Sequence, residues 1–125
     1  MASMVKSPMN FTSTEALGIY RRVKLTASSG TAVEYADEGD FAIGVTCENV
    51  AISKTVSVKD VKDPGTQILT AAGAISAGAS VYAADDGKIA TTVSGMIIGT
   101  ALEAALADGD QIEVYLNSNI GETWS

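Results

Sequence analysis

Apolar and polar residues alternate in short segments along this chain, and this alternation constrains the fold more than any other feature. Val56 and Val58 are separated by polar residues, and so are Ile112, Val114 and Leu116. A period of two is typical of a β-strand with one face buried and the other in water. We therefore predict β-strands from residue 19 onward.

Turns rich in glycine and aspartate separate the alternating segments. They read SSGT, DEGD, DPGT, DDGK and DGD, at residues 28–31, 37–40, 63–66, 85–88 and 108–110. Short strands at this spacing predict an all-β fold, a small antiparallel β-barrel or sandwich. One segment, ALEAALA at 101–107, has high helix propensity, so the prediction leaves room for one short helical turn near 103–108.

Two similar phrases indicate an internal repeat. They read AIGVTCE at 42–48 and IIGTALE at 97–103. Extending their alignment with gaps predicts two pseudo-repeated β units, about 19–61 and 76–117, within a β domain that spans 19–117. In the link between the units, TQILTA is a candidate for an extra strand. Residues 118–125 then form a C-terminal tail.

The repeated phrases suggest four residues with structural roles. Alternation places Cys47 and Leu102 on the side facing the core. Gly44 and Gly99 fall on the opposite face, where a missing side chain permits a bulge or the close approach of a neighbouring backbone. We expect substitution of either glycine to damage folding or assembly in the same way.

The first eighteen residues differ from the rest, because they show no sustained periodicity. Pro8 and many small polar residues interrupt the apolar points Met4, Met9, Phe11 and Leu17. We predict an extended, flexible N-terminal arm over residues 1–18. Two interpretations stay open: a floppy terminus, or an arm that becomes ordered against a partner.

Charge and composition exclude several classes of protein. The net charge of −7 argues against nucleic-acid binding, which requires clustered lysine and arginine. Glycines and hydroxyl residues interrupt the longest uncharged stretch, residues 64–84, so we predict no membrane span. The N-terminus lacks the apolar segment of a secretory signal. The single cysteine allows no intramolecular disulfide and fits a reducing compartment.

The sequence offers no residues for an enzyme. Histidine is absent, which removes histidine-dependent triads and histidine metal sites. No phosphate-binding or dinucleotide-binding glycine motif is present. The aspartate clusters at 37–40, 85–86 and 108–110 flank glycines, as turn chemistry requires, and provide no complete calcium loop. We predict no catalysis, no cofactor and no metal.

One stretch of the chain resembles a known family. The run SAGASVYAADDGKIATTVSGMIIGTALEAALADGDQIEVYL resembles the C-terminal half of phage capsid cement, or head decoration, proteins. The first half, VKLTASSGTAVEYADEGDFAIGVTCENVAISKTVSVKDV, is similar to the matching upstream part. The resemblance covers roughly residues 19–117 and leaves out the arm and the tail, including Trp124.

The resemblance implies a structural protein of the virion. Family members are small β-rich homotrimers that bind the outer surface of the expanded head and clamp neighbouring subunits of the major capsid protein. By similarity, the capsid contact lies in the arm, at Met4, Pro8, Met9, Phe11 and Leu17. An alternative class has the same composition: a β-sandwich module of a tail fibre, a baseplate or a bacterial surface protein.

Overall fold

The regular elements of the described chain are β-strands, apart from one 3₁₀ turn. The computed structural model describes residues 9–26, 30–60, 65–93 and 96–116. Its elements in chain order are β1 (Met9–Ser13), β2 (Arg22–Leu25), β3 (Ala32–Tyr35), β4 (Gly44–Thr46), β5 (Thr55–Asp60), β6 (Thr66–Thr70), β7 (Ser80–Ala83), a 3₁₀ turn (Asp85–Gly87), β8 (Ile89–Ala90), β9 (Ile97–Ala101) and β10 (Gln111–Leu116). No helix in these ranges is long and apolar enough to cross a membrane.

The first five strands close into a barrel. Their order is β1-β3-β2-β4-β5, and β5 pairs with β1 to complete the ring. All pairs are antiparallel except β1 with β3, which is parallel. The prediction of a small all-β fold is confirmed, and the fold contains one parallel pair that the alternation pattern does not predict.

The last five strands repeat the same pairing in a second sheet. Their order is β6-β10-β9-β7-β8, in which each strand pairs like its counterpart five places earlier. A single parallel bridge between Ala71 and Ile89 corresponds to the parallel pairing of β1 with β3. The second sheet stays open between β6 and β8 except at this bridge, because β8 has only two residues.

Equivalent hydrogen bonds show the repeat at residue level. Leu17 and Val50 exchange two backbone hydrogen bonds of 2.9 Å, and Ile75 and Ala105 exchange two of the same length. The position of Gly78, whose φ is 88°, corresponds to Tyr20 in the first unit, with a φ of 61°. A tyrosine rarely adopts this left-handed conformation. Here its carbonyl oxygen accepts a hydrogen bond from the Thr70 amide at 3.1 Å.

The boundaries of the units differ from those predicted. The first unit spans residues 9–60 and the second 66–116, so each begins one strand earlier than expected. The segment TQILTA contains β6, which is the counterpart of β1 and not an extra strand in a link. The only helical turn in the described ranges lies at Asp85–Gly87, whereas residues 102–103 form a bend after β9. The short helical turn that the prediction left room for is therefore present in the chain, but not near 103–108.

Two apolar cores lie side by side. Leu17, Val23, Val33, Val56 and Val58 fill the barrel. The second core lies within the second sheet and draws on every one of its strands. It also contains Val45 of β4, which points out of the barrel into the second unit. The two units thus share buried surface, and each covers apolar residues of the other.

Candidate functional site

The predicted contact residues of the arm divide into two groups. Phe11 lies in β1 and packs against the barrel core, and Leu17 is only 2% exposed within it. Met9 begins β1, which pairs with β5. A flexible arm over residues 9–18 is therefore wrong, because this segment buries apolar surface and completes the barrel. Met4 and Pro8 lie outside the described residues, so any free arm is confined to residues 1–8.

Gly44 and Gly99 lie where the neighbouring backbone comes close. A Cβ added to Gly44 would collide with the Val58 side chain and the Lys59 carbonyl group. A Cβ added to Gly99 would collide with the Tyr115 carbonyl group of β10. The two glycines occupy equivalent places, since each pairs with the end of the last strand of its unit. Both positions therefore require the absence of a side chain.

Cys47 and Leu102 do not face the core. Strands β4 and β9 end at Thr46 and Ala101, and the chain bends directly after each. Cys47 is exposed, and Leu102 is 49% exposed. The prediction that Cys47 faces the core is wrong, because the alternation of the strand ends with β4 at Thr46. Partial desolvation still raises the pKa of the Cys47 thiol, which disfavours the reactive thiolate.

A buried arginine joins the two units, and sequence analysis missed it. Arg22 is 1% exposed, and its Nη2 donates to the carbonyl oxygens of Ala84 at 2.6 Å and Ala36 at 3.2 Å. Its Nε donates to the Lys88 carbonyl at 3.3 Å. Burial lowers the pKa of Arg22 to about 10, against the opposing effect of three nearby aspartates, so it remains charged at neutral pH. In sequence it looked like one of several surface cations.

Arg22 and the carbonyl groups that it contacts form the joint between the two units. The aspartates around this joint cap turns, as their position beside glycine predicts. The Asp86 amide donates to Asp37 Oδ1 at 3.0 Å, and the Glu38 amide donates to Asp85 Oδ1 at 3.1 Å. These reciprocal bonds tie the turn after β3 to the 3₁₀ turn of the second unit. Within the described part of the chain, no group of acidic or cysteine side chains could hold a metal ion.

The described surface offers little for small-molecule chemistry. A shallow hollow of about 380 Å³ lies beside the joint, between the 3₁₀ turn and the Asp108 turn. Lys88 Nζ is 2.7 Å from Asp108 Oδ1 there, and this contact lowers the pKa of the Asp108 carboxyl group. The lysine is therefore already paired with a carboxylate. The hollow contains no nucleophile placed beside a base.

Exposed apolar side chains form the more distinctive surface. On the outer face of the second sheet, Ile68 is 38% exposed, Leu102 is 49% exposed and Tyr115 is 56% exposed. Ile68 pairs with Glu113, whose carbonyl accepts a hydrogen bond from the Leu102 amide at 2.9 Å. These residues therefore form one patch across β6, β10 and the end of β9. Sequence alternation places Ile68 and Tyr115 on one side but does not show which side is left uncovered.

Comparison with known proteins places the chain among phage proteins. A family model described as phage cement protein matches residues 12–116, which include part of β1 and all of β2 to β10. Among solved structures, the N base of head fibre gp8.5 in bacteriophage phi29 has the same fold, with a TM-score of 0.74 at 16% sequence identity. That match covers 88% of this chain and 92% of that chain. No curated protein sequence matches.

Proposed function

The chain belongs to the phage cement protein family, and we propose that it binds the outside of an expanded phage head and clamps neighbouring subunits of the major capsid protein. The observation that supports this most directly is the family match over residues 12–116, which covers nearly all of both units. The fold shared with the base of a phage head fibre also supports a position on the head. The family is a structural one, and we propose no catalysis.

The proposed mechanism is stabilisation by binding. A protein that binds only the expanded shell adds its binding free energy to that state, and so opposes rupture and disassembly. We propose a homotrimer, in which three copies contact several capsid subunits at once. Linked contacts of this kind raise the overall affinity by about 10²–10⁴ over a single contact where the geometry allows all of them. The mass of the protein in solution tests the trimer independently of the head.

We place the capsid contact in residues 1–8, at Met4 and Pro8. We leave Phe11 and Leu17 out of the proposed contact because Leu17 is buried in the barrel core and the partly buried Phe11 packs against it. An extended segment can pair with the exposed edge of a sheet in the shell through its backbone, while alternate side chains enter pockets. Residues 1–8 immediately precede β1, so a contact made there is transmitted directly to the barrel.

Sedimentation with purified heads tests the proposal. The protein is mixed with expanded, undecorated heads, which are then pelleted, and the bound fraction is measured. We expect the full chain in the pellet and a variant lacking residues 2–8 in the supernatant. A module of a tail fibre, a baseplate or a bacterial surface protein would remain in the supernatant in both forms. Decorated heads should also lose their contents at a higher temperature than bare heads.

A further inference from the structure

Strand β6 has one edge along which no strand of the described residues pairs. Strand β10 forms backbone hydrogen bonds with one edge of β6. At the two ends of this pairing, the Leu116 amide donates to the Gly65 carbonyl at 3.0 Å and the Ala71 amide donates to the Asp110 carbonyl at 2.8 Å. In an antiparallel pair, alternate residues direct their backbone groups to the other side. In β6 these are Thr66, Ile68 and Thr70.

Within the described residues, one of these three amides has a partner. The Thr70 amide donates to the Tyr20 carbonyl of the first unit at 3.1 Å. The amides of Thr66 and Ile68 have no acceptor among the described residues. Their carbonyl oxygens accept from Lys59 Nζ at 3.4 Å and from Gln67 Nε2 at 3.0 Å. The edge therefore presents two donors, two residues apart, with the spacing of an added strand.

An acidic, partly apolar surface borders these donors. Ile68 is exposed on the edge strand itself, and Leu102 and Tyr115 extend the apolar patch across β10 and β9. Glu113 lies on β10 directly opposite Ile68, and the exposed Glu103 follows Leu102. No lysine or arginine lies in β9 or β10. A segment that fits this surface is extended, contains apolar residues and is basic rather than acidic.

We propose that residues 1–8 of the same chain dock along this edge in the free protein. The segment reads MASMVKSP and has apolar residues, Lys6 and no acidic residue, whereas the C-terminal residues 117–125 include Glu122 and no basic residue. Met9 pairs with Val58, and the next residue of β5, Lys59, reaches the Thr66 carbonyl. Met9, to which the segment is joined, is thus one residue of β5 away from a contact with β6, and a proline such as Pro8 favours turns.

Docking would supply what the edge lacks. Backbone carbonyls of the segment accept from the amides of Thr66 and Ile68. Lys6 can reach toward Glu113, which lies two strands away at roughly 10 Å between backbones. This inference rests on the proposed function in one respect, because the same segment is the proposed capsid contact. While the segment is docked it is not available to bind the capsid, and we call this its reserve role. The fraction of undocked segment then scales the apparent affinity for the head.

Amide hydrogen exchange, followed by NMR without any heads, tests the docking itself. In the full chain, we expect the amides of Thr66 and Ile68 to exchange roughly tenfold or more slowly than in a variant lacking residues 2–8. The Thr70 amide, which donates to Tyr20, is the internal control and should be unchanged. Lys6→Glu should raise exchange at the same two amides. Equal exchange in the full and shortened chains would overturn the proposal.

Other occupants give different results in the same experiment. If removal of residues 117–125, and not of residues 2–8, exposes the two amides, the tail occupies the edge and the proposal is wrong. If protection increases with protein concentration, the segment comes from a second copy, which also overturns docking within one chain. Because no heads are present, these outcomes do not depend on whether the proposed function is correct.

The reserve role has a separate test on heads. Glu113→Lys should weaken docking and tighten binding to expanded heads, by the same factor that hydrogen exchange gives for loss of docking. Gln111→Lys, which adds a positive charge on the same strand and face but removes no carboxylate, is the control and should tighten head binding less than Glu113→Lys does. Equal affinity of the Glu113→Lys variant and the unmodified chain would exclude a reserve role.

Discussion

Single residues set the closest approaches in this fold, and two kinds of residue do so. Gly44 and Gly99 allow neighbouring strands to come within a distance that any side chain would block. Arg22 fills the joint between the units and satisfies three backbone carbonyls there. The glycines could be selected from sequence because the repeated phrases place them at equivalent positions. The arginine could not, because nothing local distinguishes a buried cation from an exposed one.

Gly44→Ala and Gly99→Ala should destabilise the protein by similar amounts. We expect each to lower the free energy of unfolding by about 1–3 kcal/mol or more, since backbone must move to admit the methyl group. Gly73→Ala is the matched control, because a Cβ there meets nothing within 4 Å. It should be neutral or stabilise by up to about 1 kcal/mol. Urea unfolding measures all three, and equal stabilities of the three variants would contradict the close approach.

Arg22→Met should destabilise more than a substitution at the neighbouring arginine. Removing the guanidinium leaves the Ala84 carbonyl without a donor among the described residues, at about 1–3 kcal/mol, whereas the carbonyls of Ala36 and Lys88 keep the amides of Gly87 and Ala84. Relief of a buried charge offsets part of this loss. We expect a net loss of about 1–2 kcal/mol. Arg22→Lys should not restore stability, since one ammonium group does not reproduce the planar fork.

Arg21→Met provides the control for this prediction. Arg21 donates to the Asp86 carbonyl at an exposed position and lies over the Tyr35 ring. Its loss should cost less than about 1 kcal/mol, as is usual for exposed charge contacts. If the two methionine variants lower the free energy of unfolding in urea equally, Arg22 does not stabilise the joint between the units.

At the scale of strands, the sequence predicted most elements and misplaced their boundaries. Period-two alternation identified β5 and β10, where one buried face meets a polar one. It failed for β1, because Met9–Ser13 follows Pro8 and includes few apolar residues. It also failed after β4 and β9, where the chain bends and Cys47 and Leu102 become exposed. Alternation does not report where a strand ends; that depends on which backbone groups find partners.

The strand assignment of residues 9–13 leads to a deletion test. A variant lacking residues 2–8 should lose only about 1–2 kcal/mol of its free energy of unfolding, which is the contribution of the docked segment, because the described fold starts at Met9. A variant lacking residues 2–13 should lose the barrel, since β1 pairs with both β3 and β5. Circular dichroism and urea unfolding distinguish the two. If the variant without residues 2–13 is folded and stable, β1 is not needed for the barrel and this prediction is wrong.

For the whole molecule, the two units should unfold together. Val45 of the barrel lies in the second core, and the joint around Arg22 crosses between the units. We expect NMR signals of Val58 in the first core and Val114 in the second to disappear at the same urea concentration. Two separate midpoints would mean that the units fold independently and that the shared core contributes little.

The repeat and the family could be recognised from sequence, whereas the contact surface could not. Glycine spacing and alternation are distributed along the chain, and the family match over residues 12–116 reflects that distribution. The unpaired edge of β6 depends on β8 being only two residues long and on the first unit approaching Thr70. Both are consequences of how the strands assemble. No short segment of sequence contains them.

Electron cryomicroscopy of expanded heads incubated with the protein tests the central claim most directly. We expect density for the two-sheet body on the outer surface of the shell, in contact with more than one capsid subunit. We also expect a connection to the shell from the start of β1, which residues 1–8 precede. Heads that remain bare at saturating protein concentration, or density that touches a single subunit, would contradict a capsid clamp.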